Sequence, residues 1–123
     1  MDLKDKRIAV IGVSERAEKF GFKIFKDLLE AGFSVCGVNP RGGEVLGKRI
    51  YKSLKEIEFI PDLVITVVSP EITEKIVEEC NLLGIKEIWM QPGSESENAI
   101  KKALSYGISL THNACLMKQA GIW

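Results

Sequence analysis

Ile8-Ala9-Val10-Ile11-Gly12-Val13-Ser14 is the stretch that decides the fold. Residues 8–13 form an unbroken apolar run with β-branched side chains, the pattern of a strand covered on both faces. Such strands belong to parallel sheets, where helical crossovers bury both sides. The next segment fits that requirement. Residues 21–31 place Ile24, Phe25, Leu28 and Leu29 at helical spacing, and Gly32 is positioned to end the helix in a left-handed conformation. Residues 33–38 then read as a second strand.

The alternation continues along the chain. Residues 40–61 read as an irregular connection, with a capping box Ser53-Leu54-Lys55-Glu56 opening a short helix. Residues 63–68 are the third and most apolar strand. Ser69 stands as a helix cap, with Pro70 in the first helical position, where its missing N–H costs nothing. Ile72, Ile76, Val77, Cys80 and Leu83 line one face of that helix, and Gly84 closes it. Residues 86–90 are a fourth strand. Ser94-Glu95-Ser96-Glu97 is a second capping box, opening a helix that Gly107 ends. Residues 108–111 are a fifth strand, and 113–120 a final short helix. The expected architecture is α/β: one domain over 1–123, with a Rossmann-like doubly wound parallel sheet of about five strands in three α/β/α layers.

Composition bounds the partners. Seventeen Lys and Arg balance 17 Asp and Glu, so there is no basic stripe for nucleic acid. The longest apolar run, 63–68, is far too short for a bilayer, and the N-terminal Met-Asp-Leu-Lys-Asp-Lys-Arg carries no apolar signal segment. The expectation is a cytoplasmic protein without membrane or nucleic-acid contacts. Cys36, Cys80 and Cys115 lie far apart and His112 is the lone histidine, so no metal site is expected. Cys36 and Cys80 fall at core positions, and His112 reads as a surface or loop residue. Cys115 is the thiol least tied to the core.

Ligands of doubly wound sheets sit at the carboxyl ends of the strands. Those positions read Gly12-Val13-Ser14, Asn39-Pro40-Arg41, Ser69-Pro70, Gln91-Pro92-Gly93 and His112-Asn113. Nearly all are small, polar or proline, and none is a convincing acid or base, so no catalytic residue is named. Gly12 to Ala17 is a degraded glycine fingerprint, with Ser14 at the second glycine position and Ala17 at the third. It reads either as a plain strand–helix turn or as a phosphate turn, with backbone N–H groups, the Ser14 hydroxyl and Lys19 facing an anion. Many NAD-binding folds end the second strand with a carboxylate for the ribose diol. Here the chain has Asn39, Pro40 and Arg41, and a guanidinium favours a ribose that carries a phosphate. Pro40 fixes a bend and can lie against an adenine. The nucleotide class is then NADP or coenzyme A, unless Arg41 is only a solvated loop cation. Ser69-Pro70 and Gln91-Pro92-Gly93 each read as opening a helix, whose N–H groups suit an amide chain such as pantetheine as well as ordinary capping.

These pieces, in order, resemble a known family. Ile8-Ala9-Val10-Ile11-Gly12-Val13-Ser14, Glu18-Lys19-Phe20-Gly21, Val38-Asn39-Pro40, Val67-Val68-Ser69-Pro70-Glu71, Trp89-Met90-Gln91-Pro92-Gly93 and Asn113-Ala114-Cys115 together resemble the small stand-alone CoA-binding proteins. Their domain is similar to the nucleotide-binding domain of the succinyl-CoA synthetase alpha subunit. The resemblance runs from about Arg7 to Ala120. It implies that Gly12, Val13 and Ser14 contact the diphosphate with Lys19 nearby, and that Asn39, Pro40 and Arg41 hold the adenosine end. It implies further that Val68, Ser69 and Pro70 flank the nucleotide and the start of pantetheine, that Pro92 and Gly93 border the arm, and that Asn113 lies near the thiol. The ligase relatives work through a phosphorylated histidine in a following domain. No residue here takes that place, so their reaction does not carry over.

The leading expectation is therefore a module that binds coenzyme A or an acyl-CoA without chemistry of its own, alone, as a homodimer or beside a partner enzyme. The alternatives are an NADP-binding oxidoreductase-like protein, a CoA-linked thiol redox or regulatory protein acting through Cys115, and an interaction domain. The oxidoreductase lacks a proton donor, since neither Tyr51 nor Tyr106 falls at an expected strand end. The interaction domain would use Trp89, Met90, Ile122 and Trp123 as a dimer surface.

Overall fold

The computed structural model describes residues 3–123; Met1 and Asp2, where the charged N-terminal stretch begins, lie outside the described residues. Strand β1 (Arg7–Ile11) is buried from Ile8 onward. Ala9 and Ile11 join one apolar cluster while Ile8 and Val10 join another, because successive side chains of a strand point to opposite faces. Helix α1 (Phe20–Glu30) closes the second cluster with Ile24, Phe25 and Leu28. It ends as expected at Gly32: the Phe33 N–H donates to Leu28 O at 3.1 Å and the Gly32 N–H to Leu29 O at 3.0 Å, with Gly32 at φ 84°.

Strand β2 (Ser34–Val38) pairs parallel to β1. The connection expected to be irregular holds two further strands, β3 (Glu44–Val45) and β4 (Lys48–Tyr51), paired antiparallel, with β4 parallel to β2. Their turn, Leu46 at φ 54° and Gly47 at φ 75°, has the left-handed pair that twists a hairpin correctly. Such turns favour Asn-Gly, and leucine in the first position hid the signal. Ser53 precedes a 3-10 turn, Leu54–Glu56, but its hydroxyl makes no cap; Glu56 Oε1 instead accepts from the Lys52 N–H at 3.3 Å.

Strands β5 (Leu63–Thr66), β6 (Glu87–Met90) and β7 (Ser109–Thr111) complete a seven-stranded sheet in the order β3-β4-β2-β1-β5-β6-β7. All neighbours are parallel except β3 and β4. The sheet has two strands more than expected, both in the edge hairpin, and the doubly wound class stands.

The far face is covered by α2 (Pro70–Leu83) and α3 (Glu97–Ser105). Thr73, Ile76, Val77 and Cys80 are the buried face of α2; Ile72, expected there, is exposed. Thr73 tolerates burial because its hydroxyl donates to Ser69 O at 3.2 Å. Ser96, not Ser94, caps α3, accepting the Ala99 N–H at 3.0 Å. Ser94 is buried. Its hydroxyl donates to Gln91 O at 2.7 Å, which leaves the Thr66 hydroxyl to donate to it at 2.9 Å. The last helix, α4 (Leu116–Gln119), is shorter than expected, because Asn113 turns through φ 62° before it. Met90 is fully buried and Trp89 half-buried with its Nε1 donating to Ala114 O at 2.8 Å, so Met90 cannot serve the dimer surface entertained above.

Candidate functional site

The register aligns the strand ends. Tyr51 opposes Val38, Val38 opposes Ile11, Ile11 opposes Thr66, and Thr66 opposes Met90. The next residue of each strand, Lys52, Asn39, Gly12, Val67 and Gln91, therefore forms one row along a single rim. The ladder extends one step into it: Asn39 N–H donates to Tyr51 O at 2.9 Å, Gly12 N–H to Val38 O at 2.9 Å, Val67 N–H to Ile11 O at 2.9 Å and Gln91 N–H to Thr66 O at 3.1 Å.

Gly12 is the crossing point. At φ 101°, a side chain there would put Cβ 2.3 Å from Val67 O and 2.7 Å from Val68 Cγ1. On its other side lies Gly21, where a Cβ would stand 2.0 Å from Gly12 O. The glycine that lets helix approach strand is thus Gly21, not the fingerprint position Ala17. The longer loop between them displaces it in sequence.

The Gly12 and Val13 N–H groups are both spent on Val38 O, at 2.9 and 3.3 Å, and the Val13 side chain is buried. The donors left to face an anion are further on, at Ser14 and Glu15, whose N–H groups have no partner among the described residues. The Ser14 hydroxyl accepts from the Arg16 N–H at 3.0 Å and fixes the turn.

Val13, Ser14, Glu15, Arg16, Asn39, Arg41, Gly42 and Gly43 surround a cleft of about 540 Å3. Asn39 ties its two walls together: Nδ2 donates to Val13 O at 2.7 Å and Oδ1 accepts from the Arg41 N–H at 2.9 Å. Its amide is thus a brace more than a free ligand group. Pro40 and Arg41 are exposed beside it. The Arg41 guanidinium has no carboxylate partner among the described residues, whereas Arg16 on the opposite wall is paired with Glu18 at 2.9 Å. Lys19 caps α1 outside the cleft wall.

Sequence reasoning missed Arg16 and Lys52. Lys52 follows β4, a strand absent from the sequence reading, and its stem lies along the loop: a Cβ on Gly42 would meet its Cγ and Cε at 3.1 Å. Its ammonium is also unpaired among the described residues. Tyr51 likewise falls at a strand end after all, half-buried with the Arg49 guanidinium 4.6 Å from its ring centre.

Val68 touches the Gly12 position, and Ser69 and Pro70 follow at the start of α2. The Ser69 hydroxyl makes no cap bond, so it and the first-turn N–H groups of this 14-residue helix stand open at the rim. Gln91-Pro92-Gly93 does not open a helix; α3 begins later, and the Gly93 N–H is held by Glu95 Oε1 at 2.8 Å. Pro92 borders a second chamber, described below, while Gly93 and Asn113 line neither it nor the cleft.

The thiols separate sharply. Burial pushes Cys36 up to about 11 and Cys80 up to about 12. Burial also pushes Cys115 upward, but donation from Gln91, the Lys118 and Met117 N–H groups and the Lys118 ammonium outweigh it and bring the thiol below its ordinary value. Gln91 is held for this task, with Nε2 3.3 Å from Cys115 Sγ and Oε1 accepting the Leu116 N–H at 2.7 Å. His112 is half-buried with Nδ1 unpartnered. Among the described residues no group of three His, Cys, Asp or Glu could hold a metal, and no helix is long and apolar enough to cross a membrane.

The chain is similar to known proteins. The chain is 33% identical over 119 residues to the ADP-forming acetate–CoA ligase of Methanocaldococcus jannaschii, covering 90% of this chain and 17% of that protein. It is 30% identical over 113 residues to the uncharacterized protein YneT of Bacillus subtilis, covering 92% of this chain and 84% of that one. The chain thus spans less than a fifth of the ligase and most of the small protein. A solved structure of a conserved hypothetical protein from Pyrococcus furiosus superposes with a TM-score of 0.89 at 34% identity, covering 93% of this chain and 98% of that one. The family described as the CoA binding domain matches residues 6–120, and the chain belongs to it.

Proposed function

We propose that the protein binds coenzyme A or an acyl-CoA along this rim and does so as a module without chemistry of its own. The observation that carries the reading is the unpaired Arg41 guanidinium facing a cleft whose other wall is a glycine turn with open N–H groups. These residues fit the ligand. Ser14 and Glu15 N–H groups, with the Ser14 turn, suit the diphosphate. Arg41, with Lys52 beside it, suits the ribose phosphate, and Pro40 suits the adenine face. Val68, Ser69 and the start of α2 lie where the pantetheine amides would run, with Pro92 further along and Asn113 toward the thiol end. The cleft carries one carboxylate, Glu15, and no nucleophile bonded to a base. The expected partner is an enzyme that makes or uses the thioester, in keeping with the ligase relatives in which such a domain is one part.

Calorimetry tests this directly. CoA should bind with Kd of about 1 μM, near −8 kcal/mol. Dephospho-CoA should bind about tenfold more weakly, and NAD weaker still. NADP binding tighter than CoA, with a change in nicotinamide fluorescence, would instead favour the oxidoreductase reading.

The lowered Cys115 thiol favours a second, compatible reading, in which CoA is held covalently when oxidised. The Cys115 thiolate attacks one sulfur of CoA disulfide, a mixed disulfide forms and one CoA thiolate leaves. Intact mass after treatment with CoA disulfide should show one added CoA, absent in Cys115→Ser. Because Cys36 and Cys80 are protonated to far higher pH, they should stay unmodified at pH 8. An adduct that persists in Cys115→Ser ends this reading.

A further inference from the structure

Beyond the cleft, the same rim opens into a chamber of about 250 Å3 between α1 and α4. Its walls are Phe20, Ile24, Val67, Pro92 and Trp123. Gln91, Cys115 and Lys118 form its polar end. The two aromatics stand as an outer wall, ring centres 6.1 Å apart, with Trp123 Nε1 donating to Asp27 Oδ2 at 2.6 Å. Phe20 is 63% exposed and Trp123 40%, so this wall shows apolar surface to solvent, with only the Lys23 ammonium over the Phe20 ring among the described residues.

We propose that the chamber is the seat of a short acyl group, so that the preferred ligand is a short-chain acyl-CoA thioester and not free CoA. The inference rests on the CoA reading above and adds its substrate class. Continuity is the first argument. Val67, whose carbonyl packs against Gly12, is both the next rim residue after the cleft and a wall of the chamber. Gln91 follows it in the same row. A ligand that runs from the Arg41 cleft past Gly12 and Val68 arrives here. Capacity is the second. At about 30 Å3 per water, the space equals roughly eight waters, far more than a bare sulfhydryl fills. Chemistry is the third. Water in this chamber meets hydrocarbon on most sides, while a thioester can set its polar carbonyl toward the Gln91 end and its chain against Phe20, Ile24 and Trp123.

Each methylene moved from water into such a site is worth about fourfold in affinity. Because the outer wall is partly open, the expected gain for butyryl-CoA over CoA is about tenfold in total. Acetyl-CoA should fall between them, and a palmitoyl chain should gain nothing over butyryl. The test is calorimetry of the full chain with this series, read as the ratio of CoA to butyryl-CoA dissociation constants. Val67→Phe fills the chamber and should bring the ratio to about one. Phe20→Ala, at an exposed position that folding tolerates, should lower it several-fold and keeps the test informative if Val67→Phe misfolds. Equal wild-type affinities for CoA and butyryl-CoA would overturn the acyl inference and leave the CoA reading standing. A ratio unmoved in folded Val67→Phe and Phe20→Ala would also overturn it. Binding of neither ligand would remove both readings.

Discussion

Gly21→Ala should lower the free energy of unfolding by about 3 kcal/mol, and Gly12→Ala by about 4 kcal/mol. The new methyl at Gly21 would stand 2.0 Å from Gly12 O, a backbone atom that cannot swing aside as a side chain does. Gly12 is itself fixed, its N–H on Val38 O and its flank against Val67 O. Overpacking of this kind costs about 1–3 kcal/mol or more. At Gly12 the φ of 101° adds backbone strain of about 1–3 kcal/mol. A small offset at Gly21 comes from alanine's better helix propensity. Gly43→Ala supplies the comparison. It also has positive φ, 86°, but nothing lies within 4 Å of its Cβ, so only about 1 kcal/mol should be lost. Urea unfolding at constant slope measures all three. If Gly21→Ala costs no more than Gly43→Ala, the helix–strand contact is looser than described. The functional corollary is direct, since the same contact sets how closely α1 approaches the rim.

Arg41→Gln should weaken CoA about tenfold while leaving dephospho-CoA within about twofold. A charge-assisted hydrogen bond is worth about 1.5–3 kcal/mol, or roughly ten- to a hundredfold. Arg41 is exposed, so screening puts the effect at the low end, and raising salt should shrink it further. Arg41→Lys should restore part of the loss, because an ammonium keeps the charge without the fork. Equal losses for both ligands would place the Arg41 guanidinium on the diphosphate they share and not on the ribose phosphate. No loss at all would move the phosphate to Lys52 or Arg16, and the same titrations on Lys52→Gln would show which.

Much of this was legible from local chemistry. The two-faced apolar runs at 8–13 and 63–68, the glycines after α1, α2 and α3, and proline at the head of α2 each report a condition that a few neighbouring residues satisfy alone. The strand-end inventory followed from them, since a parallel strand names its own functional end. Misreadings arose where the deciding partner is distant in sequence. Leu46-Gly47 lacks the usual hairpin residues, yet β4 forms because β2 offers it an edge. Ser94 has the spelling of a cap, but Thr66 and Gln91 O claim its hydroxyl. Ile72 fits the helical stripe, but the sheet beneath α2 takes Thr73.

The sequence by itself determined the fold class, the row of strand ends proposed as the ligand rim and the lack of a carboxylate after the second strand, because periodicity, capping and charge are carried by neighbouring residues. Only the tertiary structure decided which groups on that rim are free. It spent the Gly12 and Val13 N–H groups on Val38, turned Asn39 into a brace, made Gly21 the packing glycine, brought Lys52 beside Arg41 and left a partly open chamber with Cys115 at its polar end. Hydrogen-bond partners and cavities are relations between segments up to a hundred residues apart, and the packing of the sheet alone settles them.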